Sequence, residues 1–153
     1  MEVTVKVNGE RWDIDVAPAD VLLDVLRERI GVKSPKIGCE RGDCGSCTIL
    51  LDGKTVRSCL VLAVEVDGQE ITTVEGISYE GLSQLQNLFL SNNAFQCGFC
   101  APAIVLSATE LLDNNPNPTR HDVQEALAGN LCRCTGYEPI IEAVLAAARG
   151  GAK

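Results

Sequence analysis

Aromatic and basic residues are scarce in this chain, and a long apolar run is missing. Phe, Tyr and Trp together make up 4% of the 153 residues. So few aromatic side chains limit the core that a small protein can bury, and bound metal can supply stability that packing does not. Thirteen Lys and Arg stand against twenty-one Asp and Glu, a formal net charge of −8. This balance argues against a nucleic-acid partner, which requires clustered cations.

The sequence also lacks segments that would direct or anchor the chain in a membrane. From Met1 to Val5 there is no basic stretch followed by an apolar one, so no secretory signal is predicted. The longest apolar run, Cys59 to Val64, is too short to span a bilayer. We therefore expect a cytoplasmic protein without a membrane span. Disulfides are disfavoured in that compartment, but four bridges among eight cysteines remain an alternative to metal binding.

Alternating apolar and polar residues predict strands in the first half of the chain. The alternation starts at Val3 and resumes after Asn8-Gly9, a dipeptide typical of a two-residue hairpin turn. Asp52-Gly53 and Asp67-Gly68 predict two further turns between strand-like runs. One helix is predicted before the first cysteines, with Asp20 as its cap and Gly31 after its end. These elements predict one helix packed on a sheet.

The second half changes to a helical period near 3.6 residues. Four apolar stripes predict four short helices: Leu82 to Phe89, Ile104 to Leu112, Val123 to Leu127, and Tyr137 to Ala148. Thr119 and Asp122 have the spacing of a capping box at the third of them. The tail from Gly150 to Lys153 is expected to fray. The sequence thus predicts an α+β protein with domains at residues 1–76 and 77–153, divided near Gly76–Gly81.

Eight cysteines in two groups of four carry most of the functional information. Cys39, Cys44 and Cys47 follow C-x4-C-x2-C, and Cys59 comes after eleven intervening residues. This is the plant-type spacing for a [2Fe–2S] cluster. Glycines between these cysteines allow a tight loop whose amides point toward the negatively charged core. Zinc also accepts four thiolates, but zinc ribbons usually pair two short knuckles, so the three-ligand loop favours the cluster.

The second group is Cys97, Cys100, Cys132 and Cys134, with spacing C-x2-C, a long gap, and C-x-C. Both pairs lie at predicted helix junctions, where amides at helix starts favour an anionic group. This spacing is less specific than the first one. Four thiolates here fit a second [2Fe–2S] cluster, and zinc remains an alternative on coordination chemistry alone.

The two motifs in this order resemble the small iron–sulfur subunit of molybdenum hydroxylases, the xanthine dehydrogenase, aldehyde oxidoreductase and carbon monoxide dehydrogenase group. The resemblance spans about Val3 to Ala148. The residues that carry it are Ile37 to Cys47, Gln96 to Cys100, and Gly129 to Tyr137. It implies a β-grasp, ferredoxin-like domain followed by a small four-helix bundle domain, each holding one [2Fe–2S] cluster. In some relatives these domains open a longer polypeptide, and the end of this chain after them implies a separate subunit.

The resemblance also implies cofactors and partners. A large subunit would carry molybdopterin and perform the substrate chemistry, a medium subunit would carry FAD, and this chain would pass electrons between them. A hetero-oligomer follows, with a dimer of heterotrimers as one form. The resemblance assigns pterin contact to Gln96 and Cys134. Without it, Gln96 would be interpreted as a helix-capping amide.

Two other classes of function remain open on the sequence. A free-standing, two-cluster ferredoxin-like carrier would need a hydrophilic surface all round, whereas a subunit should present apolar surface to its partners. A zinc-stabilised binding module would have no redox role. The substrate, the direction of the reaction, the terminal electron acceptor, the pterin's nucleotide form and the subunit stoichiometry are not encoded in this chain's motifs.

Overall fold

The first half of the chain forms a five-stranded mixed sheet with strand order β2-β1-β5-β3-β4. In the computed structural model, residues 1–150 are described, and residues 151–153 of the predicted frayed tail lie outside them. The strands are β1 (Glu2–Val7), β2 (Glu10–Asp15), β3 (Thr48–Leu51), β4 (Lys54–Arg57) and β5 (Glu70–Thr72). The β1–β2 hairpin turns at Asn8-Gly9, and the β3–β4 hairpin turns at Asp52-Gly53, both as predicted.

The strand alternation buries one face of the sheet. Val3, Val5 and Val7 of β1 are buried, and β1 pairs in parallel with β5 as well as antiparallel with β2. The predicted strand before Asp67-Gly68 is wrong, because a 3-10 helix occupies Ala63–Val66. The Glu65 carboxylate accepts a hydrogen bond from the Leu62 amide, and this local bond favours a helical turn over an extended strand.

One helix covers the buried face of the sheet. Helix α1 (Leu22–Asp24) continues as a π-helix over Val25–Ile30 and ends at Gly31, whose φ is 88°. The prediction that Asp20 caps this helix is wrong, because Val21 is the capping residue and makes no side-chain capping bond. The Asp20 carboxylate instead accepts hydrogen bonds from the Ala17 amide and the Arg29 guanidinium, which hold it away from the helix start.

The second half is helical, as the period predicted. A short helix α2 (Val74–Ile77) comes first. The four predicted helices follow it as α3 (Gln84–Ser91), α4 (Ala101–Asn114), α5 (Arg120–Leu127) and α6 (Glu138–Arg149). The Thr119–Asp122 capping box of α5 is confirmed, since the Thr119 hydroxyl accepts from the Asp122 amide. Leu82 lies before α3 and is exposed, because Ser83 and Gln86 form a capping box that starts the helix after it.

Each half has its own apolar core. The sheet and α1 enclose one buried cluster, and α3 to α6 enclose the other. Val74 and Ile77 of α2 pack against the helical core, although residues up to 76 were assigned by sequence to the first domain. Within residues 1–150, no helix combines the length and the apolar character that a membrane crossing needs.

Candidate iron–sulfur sites

The first cysteine group lies in the irregular segment that connects α1 to β3. Cys39, Cys44 and Cys47 come from this loop, and Cys59 lies in a 3-10 helix at Ser58–Leu60, directly after β4. The Cys44 amide donates to the Cys39 Sγ at 3.3 Å. A Cβ on Gly38 would lie 2.7 Å from the Cys44 Sγ, so only glycine allows the backbone to pass so close to this sulfur.

Backbone amides converge on the Cys39 sulfur and change its acidity. Hydrogen bonds from the backbone N–H groups of Cys44 and Arg41 lower the pKa of Cys39 to about 6, so this thiol readily becomes the thiolate that binds metal. Burial, followed by the neighbouring Cys47 thiol, raises the pKa of Cys59 to about 11. The loop therefore pairs Cys39 with Cys44, and Cys47 with Cys59. The second pair needs a metal cation to hold two negative sulfurs side by side.

The second cysteine group lies where three helices meet. Cys97 and Cys100 precede α4, with Cys100 as its N-terminal capping residue, and Cys132 and Cys134 lie between α5 and α6. The Sγ atoms of Cys97 and Cys134 are 3.5 Å apart. Burial, followed by a hydrogen bond with the Cys132 thiol, raises the pKa of Cys100 to about 12. The four sulfurs thus form two pairs again, Cys97 with Cys134 and Cys100 with Cys132.

Hydrogen-bond donors also surround the second group. The Phe99 amide is the main cause of a lowered pKa at Cys97. Burial opposes ionisation of Cys132, but hydrogen bonds from the Thr135 hydroxyl and amide, the Cys134 amide and the Cys100 thiol together lower the pKa of Cys132. The Thr135 Oγ1 lies 3.2 Å from the Cys132 Sγ. Such donors stabilise the thiolate sulfurs of an iron–sulfur cluster and adjust its reduction potential.

The pairing of the sulfurs fits the ligand set of a two-metal core. A tetrahedral zinc site requires four donors around a single point, each about 2.3 Å from the metal when the donor is sulfur. In each group the cysteine sulfurs instead interact two by two, as the 3.5 Å contact between the Sγ atoms of Cys97 and Cys134 shows directly. Two thiolates at each of two irons is the ligand set of a [2Fe–2S] cluster, and the two pairs in each group fit it. All eight cysteines are free of disulfide bonds.

The structure brings together the two residues to which the resemblance assigned a pterin contact. The Gln96 Nε2 donates to the Cys134 carbonyl at 3.1 Å, and both residues are exposed. Gln96 therefore does not cap α4, whose capping residue is Cys100. The Gln96 side chain thus lies at the surface, bonded to the backbone of Cys134.

Tyr137 is a positioning residue that the sequence analysis interpreted only as packing. Its hydroxyl accepts a hydrogen bond from the Cys132 amide at 2.8 Å and donates to the Asn130 carbonyl at 2.9 Å. Its φ is 71°, a left-handed conformation rare outside glycine. The hydroxyl therefore holds the chain on both sides of Leu131 and fixes the loop that supplies Cys132. A tyrosine directly after Cys-Thr-Gly was the available signal.

The two cysteine loops contact each other directly, which the sequence analysis did not predict. The Leu131 amide donates to the Cys44 carbonyl at 2.9 Å, so a single hydrogen bond joins a residue adjacent to Cys132 to a cysteine of the first group. The Arg57 guanidinium donates to the Gly129 carbonyl at 2.7 Å. The buried Asn130 amide donates to the Gly45 carbonyl and to the Thr48 hydroxyl, each at 3.2 Å. These bonds fix the two candidate sites relative to each other.

Comparison with known proteins agrees with this geometry. Residues 5–78 match the family model described as a 2Fe-2S iron-sulfur cluster binding domain, and residues 73–145 match the one described as a [2Fe-2S] binding domain. The fold and the two matches define a protein with two iron–sulfur clusters, each in its own structural unit.

Relatives and solved structures define the family further. The nicotine 6-hydroxylase small subunit of Paenarthrobacter nicotinovorans is 53% identical over 145 residues, 95% of this chain and 88% of the relative. The xanthine dehydrogenase iron-sulfur-binding subunit of Escherichia coli O157:H7 is 42% identical, covering 91% of this chain and 89% of that subunit. Quinoline 2-oxidoreductase from Pseudomonas putida 86 superposes with a TM-score of 0.92 at 48% identity, over 100% of this chain and 98% of that chain.

The chain belongs to the family of small iron–sulfur subunits of molybdenum hydroxylases and related dehydrogenases. Members of this family are the electron-transferring subunits of these oxidoreductases, and the substrate chemistry takes place on a partner subunit. The family, the α+β fold and the electron-transfer role predicted from the two cysteine motifs are confirmed.

Proposed function

We propose that the eight cysteines ligate two [2Fe–2S] clusters and that this chain carries single electrons between a molybdopterin centre and FAD. Cys39, Cys44, Cys47 and Cys59 would hold the first cluster in a domain of residues 1–76. Cys97, Cys100, Cys132 and Cys134 would hold the second in residues 77–153. The observation that carries the proposal is the close pairing of the sulfurs in each group, with backbone donors directed at them.

A bound [2Fe–2S] cluster supplies reversible one-electron chemistry. The protein determines where that chemistry occurs and at what potential. The amides of Arg41, Cys44 and Phe99 donate to cysteine sulfurs and thereby stabilise their negative charge. The Tyr137 hydroxyl and the Leu131–Cys44 hydrogen bond hold the two loops in contact, which shortens the covalent and hydrogen-bonded route from one ligand set to the other.

The surface around the cysteine loops supports a subunit rather than a free carrier. Several large apolar side chains next to the cysteines are exposed: Ile37, Leu60, Leu62, Phe99 and Leu131. A free-standing carrier would expose polar groups there, whereas a subunit covers such residues with its partners. The partners in the proposal are a molybdopterin-binding large subunit and an FAD-binding medium subunit, in a hetero-oligomer such as a dimer of heterotrimers located in the cytoplasm. Isolation without any larger polypeptide would favour the free carrier.

We expect the purified complex to contain about four irons and four acid-labile sulfides per copy of this chain, with two distinguishable EPR signals after reduction by dithionite. Cys44→Ala should abolish one signal and halve the iron attributable to this chain. Cys100→Ala should do the same to the other signal, because each alanine removes a ligand from a different group. Quantitative iron and sulfide analysis with EPR provides the measurement. Zinc without labile sulfide in the native protein would refute the proposal.

In the same proposal, Gln96 contacts the pterin of the large subunit beside Cys134. Its exposed amide and its bond to the Cys134 carbonyl support this role. We expect Gln96→Leu to slow reduction of the second cluster by substrate roughly fivefold, since loss of one hydrogen bond amounts to about 1 kcal/mol. Stopped-flow spectroscopy of the complex provides the rate. Gln84→Leu, which changes an exposed glutamine on α3, is the matched control and should react at the native rate. Equal rates in all three proteins would remove Gln96 from the pterin contact.

A further inference from the structure

A short segment of the first domain, directly before the first cysteine loop, is held in place by contacts from two helices. It runs from Lys33 to Lys36, between α1 and Cys39. The Arg27 guanidinium donates to the carbonyls of Lys33 and Pro35, at 2.9 and 2.8 Å. The Glu75 carboxylate accepts hydrogen bonds from both the amide and the hydroxyl of Ser34. Contacts from the helix before it and from α2 therefore fix this segment at both sides.

Lys36 extends from the end of this segment to the other domain. Its amide donates to the Ser46 carbonyl at 3.0 Å, and its Nζ donates to the Ser34 carbonyl at 3.3 Å. The ammonium lies 5.4 Å from the centre of the Phe99 ring, within the range of a cation–π interaction. Phe99 lies between Cys97 and Cys100, and its amide donates to the Cys97 sulfur. The charge on Lys36 thus lies against the loop that supplies two ligands of the second cluster.

The surroundings of Lys36 combine burial with charges of both signs. Burial lowers the pKa of Lys36, and Arg27 lowers it further, while Glu75 and the thiols of Cys100 and Cys97 act in the opposite direction. A cluster bound by these sulfurs carries net negative charge and so favours the protonated ammonium. No other Lys or Arg has a cation–π contact among residues 1–150.

We propose that Lys36 is a positioning residue of the first domain that raises the reduction potential of the second cluster, by placing a fixed positive charge on the Phe99 ring. This inference rests on the proposed function. One-electron reduction adds a negative charge to the cluster, and a nearby cation stabilises the reduced form more than the oxidised form. In the complex the molybdenum centre supplies that electron. Lys36 thus makes the second cluster a better electron acceptor through a residue of the first domain.

The test is an EPR-monitored redox titration of the intact complex carrying Lys36→Gln, with dithionite as the reductant. At the native midpoint potential of the second cluster, we expect the ratio of oxidised to reduced cluster to rise roughly tenfold, a shift of about 59 mV for a one-electron couple. The first cluster serves as the internal reference. Its midpoint should move much less than that of the second cluster, since the contact of the Lys36 ammonium is with the Phe99 loop.

Two further variants separate charge from shape. Lys36→Arg keeps the charge and can stack on the same ring, so it should restore most of the native potential. Lys33→Gln removes a charge from the same segment, but the Lys33 ammonium pairs with Glu28 and not with the Phe99 ring, so neither cluster should shift. Equal shifts in Lys36→Gln and Lys36→Arg, or no shift in Lys36→Gln, would overturn the inference. Two missing EPR signals in the native complex would instead refute the proposed function.

Discussion

Gly45→Ala is expected to separate the two cysteine loops and destabilise the chain by about 2–4 kcal/mol, through left-handed backbone strain and steric overlap together. A Cβ on Gly45 would lie 2.1 Å from the Gly129 carbonyl oxygen and 2.9 Å from the Asn130 Nδ2. Both neighbours belong to the other domain, and the nearer one is backbone that cannot rotate away. The φ of Gly45 is 73°, where alanine is strained regardless of space. Calorimetry of the purified complex and its iron content provide the measurement.

Gly68→Ala is the control that separates the cost of left-handed backbone strain from the cost of steric overlap. Gly68 has a φ of 75°, almost the same as that of Gly45, but a Cβ there would meet nothing within 4 Å. We expect this control to cost about 1–2 kcal/mol from backbone strain alone and to keep all its iron. Similar melting temperatures and iron contents for the two variants would show that the contact between the loops contributes nothing beyond local conformation.

Asn130→Ala is the second change for which we expect a large effect, a loss of roughly 3 kcal/mol from unsatisfied buried groups. Asn130 is 1% exposed, although most asparagines lie at the surface. Its amide donates to the Gly45 carbonyl and the Thr48 hydroxyl, and its side-chain oxygen accepts from the Ser107 hydroxyl at 2.8 Å. In the alanine variant, the Gly45 carbonyl and the hydroxyls of Thr48 and Ser107 each lose their hydrogen bond to Asn130. Because the site is buried, water does not replace these bonds. The thermal transition of the complex reports the loss.

The same substitution should alter communication between the two clusters. Asn130 immediately precedes Leu131, whose amide contacts Cys44, so the alanine variant loosens the segment that makes this contact. We expect the magnetic interaction between the two reduced clusters to weaken in EPR. Asn114→Ala, an exposed asparagine that donates only to the Glu110 carbonyl of its own helix, should change stability by no more than about 0.5 kcal/mol. An Asn130→Ala complex that melts like this control would contradict the role of the buried amide.

The fold was predictable where local chemistry determines structure. The hairpin at Asn8-Gly9, the box at Thr119 and the four helical stripes depend on neighbours in sequence, and the structure has all of them. The capping role of Asp20 failed because a distant guanidinium, Arg29, binds its carboxylate. The strand expected before Asp67 failed because a single Glu65 hydrogen bond favours a helical turn. Hydrogen bonds to such competing partners do not change the spacing of apolar and polar residues, so the sequence pattern does not reveal them.

In the candidate sites, too, features set by local sequence were predictable and features set by distant contacts were not. Cysteine spacing predicted that each group of four would come together, since ligand geometry constrains the loop that supplies the ligands, while their role as cluster ligands stays a prediction. The contacts between the loops were not predictable, because they use main-chain carbonyls and amides, which every residue has. The Arg57–Gly129 bond joins residues 72 positions apart and involves only a backbone oxygen on one side. Lys36 likewise belongs to no motif, and only the structure places its ammonium on the Phe99 ring.

The hydrogen bonds between the two halves of the chain have a consequence for how the sequences of related chains diverge. The carbonyls of Cys44, Gly45 and Gly129 and the amide of Leu131 are main-chain atoms, so substitutions elsewhere in either half leave their chemistry unaltered. Neutral drift can therefore accumulate on both sides while the halves still recognise each other. Chimeras that exchange the helical half between relatives should assemble, provided that they retain Gly45, Gly129 and Asn130, which form the contact between the two halves.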